Sequence, residues 1–226
     1  MSCAFKMTES EFIDYWKRVY PEAYLIGHEL KWVYPDRWFR IHSLPESKRY
    51  AEDEIEYQII FERQNQLITD LIGEGTEIML AFGLYVDDDL INLNYREMSD
   101  FVEFQKIMTI DLQKERPEEQ QDELYLDIFL KADTWRRNKR NELLKKIADD
   151  EIRAMFICPS RNCVIAPYDG GVDIIVQSTK IRDQLRNKYG DWLSNREDGL
   201  GKKKNVLQKI TQVGFNRTTV GALRLT

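Results

Sequence analysis

Arg40, His42, Lys48 and Arg49 bring three cations and one of only two imidazoles into ten residues, within the run Trp38-Phe-Arg-Ile-His-Ser-Leu-Pro-Glu-Ser-Lys-Arg-Tyr50. If Trp38–His42 is a strand, Arg40 and His42 share one face. Ser43-Leu-Pro-Glu46 reads as a capping box opening a long helix, with Pro45 in its first turn. The positive end of that helix would then stand beside Arg40, His42, Lys48 and Arg49, an arrangement that can surround a phosphate or a carboxylate. The competing expectation is that Arg40 and Arg49 pair internally with Glu46, Glu52 or Asp53, because cations at a helix start oppose its dipole.

A second dense block is Ala166-Pro-Tyr-Asp-Gly-Gly-Val-Asp173. Asp169-Gly-Gly171 is a turn signal, with the aspartate bonding its own backbone. The turn accounts for the glycines but not for Asp173, an acid in an otherwise apolar strand. Tyr168, Asp169 and Asp173, with Trp192 further on, offer an acidic-aromatic patch suited to a basic protein partner.

Catalytic alternatives are weaker. His28 and His42 lack an imidazole or thiol partner at helical spacing, and Cys158 and Cys163 have no second pair to complete a tetrahedral zinc site. Asp87-Asp-Asp89 lacks the further oxygens of a calcium loop. There is no Gly-x-Ser-x-Gly elbow and no glycine-rich phosphate loop. A Cys–His nucleophile joining either histidine to Cys158 or Cys163 has little locally to lower the thiol pKa beyond Arg153 and Arg161. Asp169, Asp173 and Lys180 match a metal-dependent nuclease poorly, since Lys180 lies past the strand end. The expectation is therefore no catalytic residue, no metal and no cofactor.

The elements that would carry these residues alternate between helical and extended patterns. Thr8-Glu-Ser-Glu11 is a capping box for a helix ended by Pro21. Tyr24–Tyr34 reads as extended. An amphipathic helix bearing Ile55, Ile59, Ile60, Leu67, Ile68 and Leu71 stops at Gly73-Glu-Gly75. Ile78–Val86 is a buried strand, Ser99–Ile107 a short helix and Thr109–Leu112 a strand. Residues 114–122 form an exposed acidic loop. Leu124, Leu126, Ile128 and Leu130 alternate as a half-buried strand, and Thr134–Ala148 reads as a helix. Three short strands follow (Arg153–Ile157, Cys163–Pro167, Val172–Val176), then a helix from Ser178 to Trp192. A short helix, Asn205–Thr211, is expected in the tail. Interleaved helices and frequent hairpins predict a single α+β domain over residues 1–198, with a mixed, largely antiparallel sheet flanked by helices.

The chain has 226 residues, 42% hydrophobic and 32% charged, enough for a solvated fold with a substantial core. Its net charge is −6. Residues 199–226 hold six cations and no acid, so residues 1–198 carry −12 (−6 minus +6). An acidic body disfavours nucleic acid as the main partner and favours a basic protein. The first residues lack the pattern of a secretory signal. The longest apolar run is shorter than the ~20 residues of a membrane span. Three cysteines and no export signal point to reduced thiols in the cytoplasm.

The block Arg37–Tyr50, the block Ala166–Ile175 and Leu185-Arg-Asn-Lys-Tyr-Gly-Asp-Trp192 together resemble a bacterial family known as a domain of unknown function. In that resemblance Leu90–Asp122 and the basic tail stand outside. Some acidic proteins of this size and look neutralise secreted toxins encoded beside them, so the resemblance implies an immunity-type role. The expected function is a non-catalytic binding protein directed at a basic toxin domain. The alternative is a small enzyme or an anion- or nucleotide-binding module using Arg40, His42 and Arg49.

Overall fold

Among the described residues, seven strands, all paired antiparallel, are laid side by side in the order β1-β7-β6-β5-β2-β4-β3. They are β1 (Trp38–His42), β2 (Glu77–Val86), β3 (Gln105–Asp111), β4 (Tyr125–Thr134), β5 (Ala154–Cys158), β6 (Cys163–Tyr168) and β7 (Gly171–Ile175). The structure is a computed structural model and describes residues 7–86, 103–115, 117–118 and 123–193. Six helices are described: α1 (Glu9–Val19), α2 (Leu30–Val33), α3 (Glu54–Ile72), α4 (Leu112–Glu115), α5 (Asn141–Ala148) and α6 (Thr179–Lys188).

The sheet is covered on both faces. On one face, Trp38, Ile175, Val164, Ile157 and Met79 pack with Phe12 and Trp16 of α1 and Leu30 of α2. On the other, Phe39, Ile174, Ile165, Phe156 and Leu80 pack with Ile60, Leu67 and Ile68 of α3 and Leu144 of α5. This is an α+β fold in one sheet, as expected. The strict alternation read in β4 becomes unbroken burial from Leu126 to Leu130, because Phe129 packs in a separate apolar cluster and Asp127 is covered by Lys106 and Thr109, which both donate to its carboxylate.

Local signals mark several element ends. Thr8 and Glu11 form the capping box of α1. Gly73 closes α3 with φ at +85°, a left-handed turn that a side chain would strain. Ser178 caps α6 by accepting from the Ile181 N–H.

Elsewhere tertiary pairing overrides local pattern. Ser43 does not begin a helix. Glu46 and Ser47 hold positive φ after it, Pro45–Ser47 is a single 3-10 turn, and α3 starts only at Glu54. Its cap is Asp53, whose carboxylate accepts from the Glu56 N–H at 2.9 Å. Tyr24–Tyr34 contains the helical turn α2 rather than a strand. Residues 105–107, expected to end a helix, are strand, paired along the outer side of β4 with a bulge between Lys106 and Met108; residues 99–102 lie outside the described set. Extended structure runs on through Thr134, and the Trp135 N–H bonds the Thr76 carbonyl at 2.8 Å. Asn138 then turns at positive φ, so the helix is confined to Asn141–Ala148. Trp192 falls in a separate 3-10 turn after α6. Of the expected loop at 114–122, Lys114 and Glu115 end α4, and Pro117 and Glu118 are exposed. Residues 87–89 and the tail at 199–226 lie outside the described residues.

Candidate functional site

The two dense sequence blocks meet. β1 is an edge strand that pairs with β7, bringing Arg40 opposite Asp173 and His42 opposite Gly171. Asp173 is 5% exposed, and its carboxylate accepts three hydrogen bonds: from Trp38 Nε1 at 2.9 Å, Arg40 Nε at 2.7 Å and Arg40 Nη2 at 2.8 Å. The Arg40–Asp173 pair is bidentate and nearly dry, with side chains 14% and 6% exposed. Such a pair holds only because the fork geometry satisfies both charges. Burial works against the Arg40 charge, and the adjacent carboxylate outweighs it, raising the guanidinium pKa.

The Arg40 guanidinium also lies 4.8 Å from the Tyr168 ring and 5.6 Å from the Trp38 ring, within cation–π range of both. Gly171 makes this possible. A Cβ there would fall 2.1 Å from the Ile41 carbonyl oxygen and 3.0 Å from the Tyr168 hydroxyl. The glycine therefore lets β1 close on β7 and the tyrosine lie over the strand. Burial raises the Tyr168 hydroxyl pKa, keeping it a neutral phenol.

The β6–β7 turn carries the second ion pair. Asp169, 5% exposed, is bound by the Arg49 guanidinium and accepts from the Tyr50 hydroxyl at 3.0 Å. Here the cation is half in solvent, with the Arg49 side chain 53% exposed. Tyr50 is among the exposed large hydrophobic residues. Lys48 reaches away, to Glu56 at 2.7 Å and Glu52 at 3.2 Å.

Thus the internal pairing expected for Arg40 and Arg49 has partners from the far end of the chain, Asp173 and Asp169, in place of Glu46, Glu52 or Asp53. The expected helix terminus beside them is absent, since Ser43 is buried and its hydroxyl accepts from Gln64 Nε2 at 2.9 Å. Asp173, unexplained by the turn, is explained as the buried counterion that fixes β1.

His42 lies on the same sheet face, and burial lowers its pKa. Its Nε2 is buried without a hydrogen-bond partner, while its carbonyl accepts from Arg63 Nη1 at 3.1 Å. His28, in the loop before α2, keeps 37% of its side chain exposed and lies 3.9 Å from a Glu29 carboxylate oxygen; partial burial lowers its pKa to about 4, with Arg153 and Lys31 adding to the shift and Glu29 opposing it. Trp192 belongs to the opposite face: it stacks on Tyr189 at 4.7 Å and lies under the Arg63 guanidinium at 5.3 Å. It does not join Tyr168. No group of three or more His, Cys, Asp or Glu among the described residues is arranged to hold a metal. No described helix is long and apolar enough to cross a membrane.

Fold and site together define an α+β domain with an open antiparallel sheet, whose edge strand is locked by an arginine–aspartate–aromatic lattice. Residues 26–197 match the family described as "Domain of unknown function (DUF3885)", and the chain belongs to it. The match runs through residues 90–122, which the sequence resemblance left out, and stops before the basic tail. No curated protein and no solved structure matches the chain.

Proposed function

We propose that this chain is a non-catalytic protein-binding module whose partner is a basic protein, in the manner of an immunity protein that neutralises a toxin domain. The observation that carries the reading is the Arg49–Tyr50 pair, an exposed arginine and an exposed tyrosine both held by one buried carboxylate, Asp169. Arginine and tyrosine, with tryptophan, are enriched at binding hot spots, and side chains already fixed before contact lose less entropy on binding. The −12 carried by residues 1–198 would raise the rate at which a cationic partner meets this protein.

The same pairing weighs against the anion-binding reading. Arg40 is bound by Asp173 through both Nε and Nη2, Arg49 is bound by Asp169, and Lys48 is bound by two glutamates. A phosphate would have to displace a carboxylate that is already in place.

The reading expects a gene beside this one to encode a basic protein; the test is co-expression of the two, followed by titration of the purified pair. The reading expects a stable complex at low salt, weakened at least tenfold by Tyr50→Ala and by Arg49→Ala, with both variants folded. A complex insensitive to both substitutions, or no association of the two proteins, would refute it.

A further inference from the structure

Cys158 ends β5 and Cys163 opens β6, and the two are direct partners across that antiparallel pair. Between them lies only a four-residue turn: Pro159–Arg161 in a 3-10 turn and Asn162 in the left-handed region. Residues directly opposed on antiparallel strands point to the same face with Cα atoms about 4.5–5.5 Å apart. That separation falls inside the ~4.4–6.8 Å range a disulfide needs. Both thiols are free and buried, on the α3 side of the sheet with Phe156 and Ile165. The turn above them is exposed at Ser160 and Arg161, and Ser160 Oγ lies 3.4 Å from Cys158 Sγ. The docking surface uses none of these groups.

We propose that Cys158 and Cys163 are a reversible redox site, oxidised by a hydroperoxide to an intramolecular disulfide across the mouth of the β5–β6 hairpin. The two thiols are chemically unequal. The Cys163 thiol hydrogen-bonds Cys158 and lowers its pKa, with the Ser160 hydroxyl, the Arg161 N–H and the Arg161 charge adding to the effect against the opposing burial. The same bond and burial raise Cys163. Cys158, whose Sγ lies 3.4 Å from the hydroxyl of Ser160 in the exposed turn, is therefore the nucleophile. Its thiolate attacks the distal oxygen of the peroxide; the O–O bond breaks, Cys158 becomes a sulfenic acid, and hydroxide leaves, or alkoxide from an organic peroxide. The Cys163 sulfur then attacks Cys158 Sγ, the S–O bond breaks, and the Cys163 proton leaves with the hydroxyl as water. Two thiols lose two electrons, and the peroxide gains them. The closed loop is short, with four residues between the cysteines, so the bond removes less chain entropy from the unfolded state than one closing a long loop. This suits a bond that is made and broken over one that staples the fold, and a dithiol reductant reverses it.

The test uses the full chain carrying Cys3→Ser, treated with hydrogen peroxide while folded, then denatured and alkylated. The expected result is loss of both alkylations, a mass decrease of two hydrogens, a cross-link between Cys158 and Cys163 in the peptide map, and full reversal by dithiothreitol. With Cys163→Ser added, a 1,3-dione probe should trap a sulfenic acid on Cys158; with Cys158→Ser, it should trap none on Cys163. Complete alkylation of both thiols after peroxide, oxidation to sulfinic acid without a cross-link, or a cross-link only between chains would each overturn the proposal. If the added substitutions impair folding, the cross-link in the Cys3→Ser chain decides alone.

Discussion

Asp173 and Asp169 are both buried acids bound by arginine, yet they should behave differently on substitution. Removing Asp173 strands the Arg40 guanidinium in a nearly dry setting and frees Trp38 Nε1. Breaking a buried pair from one side costs about 3–5 kcal/mol, so Asp173→Ala should lower the urea midpoint sharply. Arg49→Ala removes a cation that is half in water and leaves Asp169 with the Tyr50 hydroxyl and with solvent in the space the arginine vacates, so its cost should be smaller than that of Asp173→Ala. The binding substitution at Arg49 should therefore leave the fold intact. Equal losses from the two variants, measured by chemical denaturation, would contradict this account of the lattice. His28 supplies a pH dependence. Its folded pKa lies at about 4, below the ordinary histidine value of about 6.5, so between these values the unfolded chain binds more protons. Stability from this group is present above about pH 6.5 and is lost as pH falls towards 4. His28→Gln should flatten the melting temperature across that window; an unchanged slope would remove His28 from the explanation.

At the scale of elements, Gly171 decides whether β1 can join the sheet. Gly171→Ala places a methyl against the Ile41 carbonyl, and overpacking of this kind costs roughly 1–3 kcal/mol or more. Amide exchange should rise first in β1 and β7. The start of α3 gives a second contrast. Asp53→Ala should cost about 1 kcal/mol by uncapping the helix and speed exchange of its first-turn amides. Ser43→Ala should leave those amides unchanged while leaving the Gln64 amide without its partner. The sequence showed the alternation of helices and strands, the meander from β5 to β7, and the caps at Thr8 and Ser178, because those signals are local. It misplaced the start of α3 because Ser43-Leu-Pro-Glu46 has the residue types of a cap, while the positive φ of Glu46 and Ser47 has no signature in residue types that ordinarily avoid it. It singled out Arg40, Arg49, Asp169 and Asp173 but not their pairing. Pairing Arg40 with Asp173 requires β1, near the start of the chain, to insert beside β7, and a contact over 133 residues leaves no local pattern. The unexplained acid in an apolar strand was the one available sign.

Across the whole molecule, charge is distributed on two levels. At the edge of the sheet, opposite charges are spent on each other and set geometry. Over residues 1–198 the remaining excess of −12 sets the long-range field. Binding of a basic partner should therefore slow in association as salt rises, while dissociation, governed by Tyr50 and Arg49, changes little. Oxidation at Cys158 and Cys163 would act on a different part of the sheet, where β5 meets β6, and the two proposals fail independently. Hydrogen–deuterium exchange of this chain, alone and with the basic protein that the reading expects a neighbouring gene to encode, tests the central claim most directly. The account predicts new protection concentrated in residues 45–53 and in the β6–β7 turn at 168–171. Protection confined to the far edge at β3, with those two segments unchanged, would contradict it.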